Sequence, residues 1–417
     1  MPFTTGTAPT ADVTGTFREK GYQKLFRAFR RYVTGSCTIG TFTDPAPANT
    51  GNGVIQLFDT KPAGVAQTWT FTCTTAGASA VFSVTGSVSG AMASLTINTN
   101  YENTHIAVRI EGGGTNFVVG DNFTVVTTAG AVTGNDKWII DAYDYFALNG
   151  VNGAALGTPN HEIVMHGVGL AGTEAVYVGI RLSETPASSL YHWELRGLTG
   201  FSASSLFASQ PGISPTPAYM SLWDQSIPFW FVVNGRRFVV ATKVSTTYHG
   251  CYGGFFLPFA TPSEYPYPIV VGADDDVQTV YTSTLASFST FPDPKGSMFI
   301  RDAAGAWHAF INDQVTPSDT HQTFPYDDTW DGRTVLLITQ NLPSGEYPLF
   351  PVNIVNFGGA VNTPLAGSTI GVLDGVFATT GFGLTAETLI TVSSVDYVAI
   401  QNIFRTTRDA YWALKLA

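Results

Sequence analysis

Charge is scarce in this chain. Of its 417 residues only 12% are Asp, Glu, Lys or Arg, about half the share usual for a soluble protein, while 44% are hydrophobic. A surface this neutral does little to keep copies apart and suits a subunit whose flanks are covered by partners. Basic excess is missing too. The net charge of −11 argues against general binding to duplex DNA, where Lys and Arg must neutralise phosphates, so no nucleic-acid partner is expected. Cysteine is limited to Cys37, Cys73 and Cys251, with no CxxC pair, and an odd number cannot all be bridged within one chain. They are read as free, buried thiols, compatible with assembly in a reducing cytoplasm. No apolar run is long enough to span a bilayer, and Met1 to Gly15 lacks the charged start and apolar stretch of a secretory signal. Solenoid or propeller periods are absent as well.

A chain of this length exceeds the size at which a single core keeps growing, so several domains are expected. The divisions read from composition are a tail and amphipathic helical arm over 1–35, a small β-sandwich module over 36–128, and a larger β-rich domain over 134–417. Residues 1–15, rich in Thr, Ala, Pro and Gly, read as a disordered or partner-bound tail. The helix follows. Tyr22, Leu25, Phe26, Phe29, Tyr32 and Val33 recur at three- and four-residue steps, with Lys20, Lys24, Arg27 and Arg31 along the opposite side. Thr16 is a candidate N-cap, and Gly35 stands where the helix would stop. Between residues 18 and 31 six basic groups face one acid, Glu19, a local +5 that leaves −16 on the rest of the chain. The aromatic stripe suits packing on the body. The basic face is either solvated, docked on the acidic body of a neighbouring subunit, or, less in keeping with its Tyr and Phe, laid on a membrane surface.

In the module, Thr68 to Thr74 alternates Trp69, Phe71 and Cys73 with hydroxyls, which a two-residue period sends to opposite faces of a strand. Ala80–Val84, Leu95–Ile97, Ile106–Ile110 and Phe123–Val126 repeat the pattern, and Gly86, Gly90, Asn98 to Asn103 and Gly112 to Gly114 supply turns. Short strands at this spacing predict a compact sandwich. The succession GVI, WTFTCT, FSVTGSVSG and NTNYENTHIAVRIEGGGTNFVVGDNFTVVTT resembles a β-module carried inside several virion proteins of tailed bacteriophages, its most specific part being the Gly-rich turn followed by Asn116 to Val125. The likeness covers under a quarter of the chain. It implies a virion structural protein present in several copies around a symmetric tail axis.

Beyond a linker at 127–135, alternation returns in Ala175–Leu182, Phe229–Val233, Arg236–Thr242, Ser297–Arg301, Trp307–Ile311, Val335–Ile338, Val352–Val355 and Tyr397–Ile400. Asn234-Gly235 between two strand-like runs predicts a two-residue type I′ hairpin, and Ala304-Gly305 a second hairpin. A final hairpin or strand is expected within 404–416. Proline-dense stretches at 211–217, 258–268 and 291–294 exclude central strands and read as long surface loops.

Several motifs look chemical without completing a chemistry. Gly167 to Gly172 fits a dinucleotide fingerprint, but the sequel alternates like a strand where a helix is required, so it reads as a Gly-rich β-turn. His161 and His166 are five apart instead of the four that a zinc-binding helix needs, and read as structural. Asp274 to Asp276, and Asp327, Asp328 and Asp331, lack the spacing of a calcium loop and read as solvated turn acids. His105, His192, His249, His308 and His321 have no neighbouring acid in a recognisable catalytic pattern, and no Ser lies in a GxSxG elbow. Tyr265 and Tyr267 in the proline loop have the character of rigid contact residues.

The expected fold class is therefore mainly β: an N-terminal amphipathic helix, a small β-sandwich module and a larger antiparallel β domain. The expected function is structural and non-enzymatic, a tail or baseplate subunit of a tailed-phage virion assembled in the bacterial cytoplasm. Its partners would be other tail or baseplate proteins and copies of itself, with no catalytic, cofactor or metal residues and no membrane span. Arg18, Lys20, Lys24, Arg27, Arg31, Tyr265 and Tyr267 are the candidate interface residues. The alternatives are an adhesin on the same particle that binds a receptor or host-surface glycan, a capsid or neck decoration protein and, furthest off, a carbohydrate-active enzyme whose paired carboxylates would come from positions that spacing does not join.

Overall fold

The computed structural model describes residues 3–8, 20–34, 38–43, 49–60, 65–129, 138–144, 161–170, 174, 176–259, 268–275, 277–283, 298–301, 305–309, 321–324, 345–356, 368–403 and 411–416. It is mainly β, with one N-terminal helix. Two compact units emerge: a body of residues 1–11, 20–29 and 137–417, and a module of residues 12–19 and 30–136.

The chain begins with β1 (Phe3–Ala8) and α1 (Gly21–Thr34). Within the stretch read above as a tail, β1 is instead a strand, hydrogen-bonded antiparallel to residues Ile227 to Val232. The helix starts at Gly21, where Gln23 Oε1 accepts the backbone N–H of Lys20 at 2.7 Å. That is the reach-back half of a capping box, so Lys20 holds the N-cap position where Thr16 was expected. Only glycine fits at Gly21, because an added Cβ would lie 1.7 Å from the carbonyl oxygen of Gln225. The aromatic stripe is buried along its length, with Tyr22, Leu25, Phe26, Phe29, Tyr32 and Val33 at 0–1% exposure.

In the module, β2 (Thr38–Thr43), β3 (Val54–Thr60), β4 (Gln67–Thr75), β5 (Val81–Gly86), β6 (Gly90–Thr96), β7 (Asn100–Glu102), β8 (Ile106–Glu111) and β9 (Asn122–Ala129) form two antiparallel sheets. Their orders are β2-β9-β4-β5-β6 and β3-β8-β7. One core joins them: Trp69, Phe71, Phe82, Val84, Phe123 and Val125 from the first meet Ile55, Tyr101, Ile106, Val108 and Ile110 from the second. Alternation along β4 holds as read, with Trp69, Phe71 and Cys73 inside and Thr68, Thr70 and Thr74 outside. The sandwich is closed at one end by Phe117, which meets Phe82 and Phe123 edge-on. A Cβ at Gly51 or Gly53 would intrude on its ring at 2.4 Å.

Among the described residues the body holds three sheets. Strands β10 (Trp138–Asp144), β11 (Glu162–Gly167), β12 (Val176–Thr185), β13 (Leu190–Leu198) and β14 (Ala218–Ser221) make a five-stranded meander. A central sheet takes β1 together with β15 (Ile227–Val233), β16 (Arg237–Val244), β17 (Thr247–Phe255), β19 (Ile269–Gly272), β20 (Met298–Arg301) and β21 (Trp307–Ala309). The third sheet contains β22 (His321–Phe324), β23 (Leu349–Asn356), β24 (Ser368–Thr379), β25 (Leu389–Val392), β26 (Val395–Gln401) and β27 (Tyr411–Lys415), with β18 (Leu257–Pro258) paired to β24. One face of the central sheet, with Trp230, Val232, Val239, Ala241 and Tyr252, meets Val352, Ile354, Val376, Ile400, Trp412 and Leu414 of the third. Its other face carries Phe231 and Phe238, which enclose Phe29 of α1 together with Trp193 of the meander. Covered on both sides, β15 to β17 are buried at consecutive positions, and β17 is buried at every residue.

Three local expectations meet the structure here. Gly167 ends β11 and Val176 begins β12, its antiparallel neighbour, while Ala171 and Gly172 lie outside the described residues. The hairpins at Gly235 and Gly305 form as expected. The first turn differs in type, since neither Asn234 nor Gly235 adopts the positive φ that type I′ requires. The Asn234 side chain makes the turn instead, its Oδ1 accepting the N–H groups of Arg236 and Arg237 at 2.8 and 3.0 Å while Asn234 N–H donates to Arg237 O.

Candidate functional site

The candidate interface residues fall in three groups. Lys20 lies at the N-cap of α1, and its Nζ donates to Glu184 Oε2 at 2.9 Å. The same oxygen accepts the Tyr22 hydroxyl at 2.6 Å. Burial and the adjoining Glu184 carboxylate push the Tyr22 hydroxyl well above its ordinary pKa, so it stays protonated and donates to Glu184. Lys24 and Arg27 are half-buried on the helix, and Arg31 continues it in backbone. Arg18, Tyr265, Tyr267 and the side chain of Arg31 lie outside the described residues, as do Cys37, Asp327, Asp328 and Asp331.

Two histidines acquire acidic partners that sequence reading missed. His166 Nδ1 stands 2.7 Å from Asp141 Oδ2 across the β10–β11 pair. His249 Nδ1 stands 3.0 Å from Asp274 Oδ2, with both side chains at 0% exposure. Each pair is 25 residues apart in the chain, a separation with no local periodicity, and only strand register brings them together. Residues Asp274 and Asp275 correct the reading as solvated turn acids: both are buried. Asp274 accepts the Gly250 N–H as well as the imidazole. Asp275 accepts the Thr279 hydroxyl at 2.9 Å and the Val277 N–H at 3.3 Å, and its backbone pairs with Tyr219 of β14. Burial raises the Asp274 carboxyl, against the pull of His249 and the Gly250 amide.

An Asp–His pair invites a catalytic reading, which needs the far ring nitrogen to meet a nucleophile and substrate. His249 Nε2 is buried and has no hydrogen-bond partner among the described residues. Both members of the pair are at 0% exposure. Among the described residues, no group of three or more His, Cys, Asp or Glu could hold a metal ion. The thiols of Cys73 and Cys251 are free and buried, and burial raises both above the ordinary thiol value. No helix among the described residues is long and apolar enough to cross a membrane.

The exposed chemistry lies on the module. Its five-stranded sheet contains no Asp, Glu, Lys, Arg or His in any strand. Register sets Thr124, Thr70, Thr85 and Ala91 in one row across the outer face, and Asn122, Thr72 and Ser83 in the next. Among the described residues the edge strand β6 pairs only with β5, and it has neither the lysine nor the proline that commonly guards an edge. Beside the sheet, the Asp121 carboxylate accepts N–H groups of Thr50, Gly51 and Val118 at 2.9–3.0 Å. Burial pushes its pKa up, but the three amides outweigh that and hold it below the ordinary value. This fastening, with Gly120 at φ +100°, presents Val118 and Val119 to solvent at 40% and 67% exposure. The most specific part of the sequence resemblance is thus a rigid turn with Phe117 pinned inside and two valines outside.

No protein-family model matches the chain, and no curated protein matches it either.

Proposed function

We propose that the chain is a structural subunit of a tailed-phage particle, acting in the tail or baseplate region through contacts with copies of itself and with neighbouring tail proteins. The observation that carries this reading is the ion-free five-stranded sheet of the module, with its hydroxyl-lined outer face and unguarded β6 edge. A free protein gains solubility from charge on such a face and from a protected edge, and both are missing. A subunit covered by neighbours needs neither. The closure of the His249–Asp274 pair supports a structural role for the body. An adhesin built on an aromatic sugar platform has less to work with, because Tyr191, Trp193, Phe229, Trp230, Tyr248, Tyr252, Phe255 and Phe256 are all buried.

Complementation tests the proposal. A phage lacking this gene is supplied with the wild-type chain or with a Thr70→Lys, Thr85→Lys variant, whose outward charges leave the core untouched. Wild type is expected to enter particles and restore infectivity, and the folded variant to stay out of them. Infectious particles without the wild-type chain would overturn the structural role, and normal entry of the variant would remove the sheet face from it.

A further inference from the structure

The β25–β26 hairpin fixes which groups of β25 face the open side of the third sheet. Its turn residues, Ser393 and Ser394, both have positive φ, as a two-residue type I′ turn requires, so the closing pair Val392–Val395 is hydrogen-bonded. Bonded and non-bonded pairs then alternate along the ladder. Ile390, opposite Tyr397, turns its N–H and C=O inward, and two residues before it the Thr388 carbonyl accepts the Ala399 N–H at 2.9 Å, in phase with that pattern. The N–H and C=O groups of Leu389 and Thr391 therefore point away from β26. In the sheet order β25 is the last strand, and among the described residues it pairs with β26 alone. Its side chains leave the edge open: Leu389 is 59% and Val392 44% exposed, and Thr391 is exposed as well. The strand has no ionisable residue, no proline and no bulge to oppose further pairing. The β14 edge, by contrast, is closed by the backbone of Asp275.

We propose that this edge is a self-association site, at which β25 pairs antiparallel with β25 of a second copy about a two-fold axis through Ile390. That register sets Leu389 opposite Thr391 of the second copy, and Thr391 opposite its Leu389. These are the outward-facing residues of both chains, so every one of their N–H and C=O groups gains a partner. Centring the pair on Thr391 would join that residue's groups alone, because Leu389 would then face Ser393 in the turn. Side chains follow the same symmetry. Ile390, clustered with Leu384, Tyr397, Ala399 and Tyr411, meets its own twin at the close spacing of a non-hydrogen-bonded pair, and Val392 lies diagonal to that twin. On the other face Leu389 lies diagonal to its twin. A second copy is the occupant that the charges favour, since a two-fold axis sets each nearby residue against its own like and β25 has no charge to oppose. Asp396 of β26 accepts the Thr391 hydroxyl at 2.6 Å. It stands one strand in from the edge, so it and its twin are three strand spacings apart, about 14 Å, beyond the screening length of about 8 Å at physiological salt. Glu387, just before the strand, is paired with Lys243 at 2.7 Å. A four-residue edge buries less than the roughly 1,600 Å² of a stable interface, so the contact is reversible in solution and gains strength where copies are held side by side. It involves the body alone and depends neither on the module face nor on a particle.

Sedimentation velocity of the purified full chain, at concentrations up to about 1 mM, tests the site. Wild type is expected to shift reversibly from monomer toward dimer as concentration rises. Thr391→Pro removes an outward N–H and leaves the β25–β26 ladder intact, because that N–H does not face β26. Leu389→Lys places a charge beside its own twin across the axis. Each variant should weaken dimerisation about tenfold or more, with an unchanged circular dichroism spectrum. A wild-type chain that stays monomeric at the highest concentration, or either folded variant dimerising as well as wild type, would overturn the proposal. Should Thr391→Pro fail to fold, Leu389→Lys decides, since its side chain replaces one that is already exposed.

Discussion

The module and the body solve the same problem, burying β surface, in opposite ways. In the module β4 has one face inside and one outside, so Trp69, Phe71 and Cys73 alternate with threonines. In the body the central sheet is covered on both faces, by the third sheet on one and by α1 and the meander on the other. Consecutive residues of β16 and β17 are therefore buried regardless of type, including Thr242 and His249 at 0% exposure. A sheet with one wet face can leave polar groups to water. One with two dry faces must pair them internally, which is why the body carries the His249–Asp274 pair and the Arg236–Arg237–Asp374 knot.

Substitutions at adjacent positions break or sharpen this comparison. In the central sheet, Val240→Asp and Ala241→Asp point to opposite faces, yet each buries an unpaired carboxylate and should cost more than about 4 kcal/mol, enough to unfold the body. In the module, Phe71→Asp should be as damaging while Thr70→Asp stays within about 0.5 kcal/mol. Urea unfolding followed by circular dichroism and tryptophan fluorescence checks all four, and a tolerated Val240→Asp or Ala241→Asp would show that one face of the central sheet is wet.

Asp121→Ala should cost about 2–3 kcal/mol in the module by leaving three amides without their acceptor. The same carboxylate gives an acid dependence. Its folded pKa is depressed, so its contribution is complete above the unfolded value near 3.8 and is lost as pH falls through the folded one. An alanine variant whose acid unfolding profile matched wild type would contradict this.

Smaller effects belong to the surface. Ser393 and Ser394, at φ of 52° and 64°, form the β25–β26 turn in a conformation that suits Asn-Gly. Ser393→Asn with Ser394→Gly should raise stability by about 1 kcal/mol, measured as a higher melting temperature, and a lower one would mean the serines hold the turn by other means. Lys243→Ala, which removes an exposed partner of Glu387, should change it by less than about 1 kcal/mol.

The same contrast explains what could be read from sequence. Alternation exposed the module strands, and aromatic spacing exposed α1, because one wet face leaves a period in the residues. Asn234 and Gly305 marked their hairpins, although the type of the first turn depended on where the Asn234 side chain bonds. The strand β1 went unread because Phe3 to Ala8 has tail-like composition and pairs with residues over 200 positions away. Asp274 and Asp275 resembled solvated turn acids for a similar reason: their partners His249, Gly250, Tyr219 and Thr279 are assembled by strand register and by the course of the segment after β19. Of the candidate interface residues, Lys20 is tied to Glu184 of its own chain, a contact that no spacing in the sequence announces.

The central functional claim is that this charge-poor β protein works as one of many subunits enclosed in a particle. Quantitative mass spectrometry of purified tailed-phage virions encoding the chain tests it most directly. The expected result is a fixed copy number per particle, a small multiple set by the tail symmetry and unchanged by high-salt washing. Absence from the particles, with the chain recovered only as free monomer in the infected-cell lysate, would contradict it.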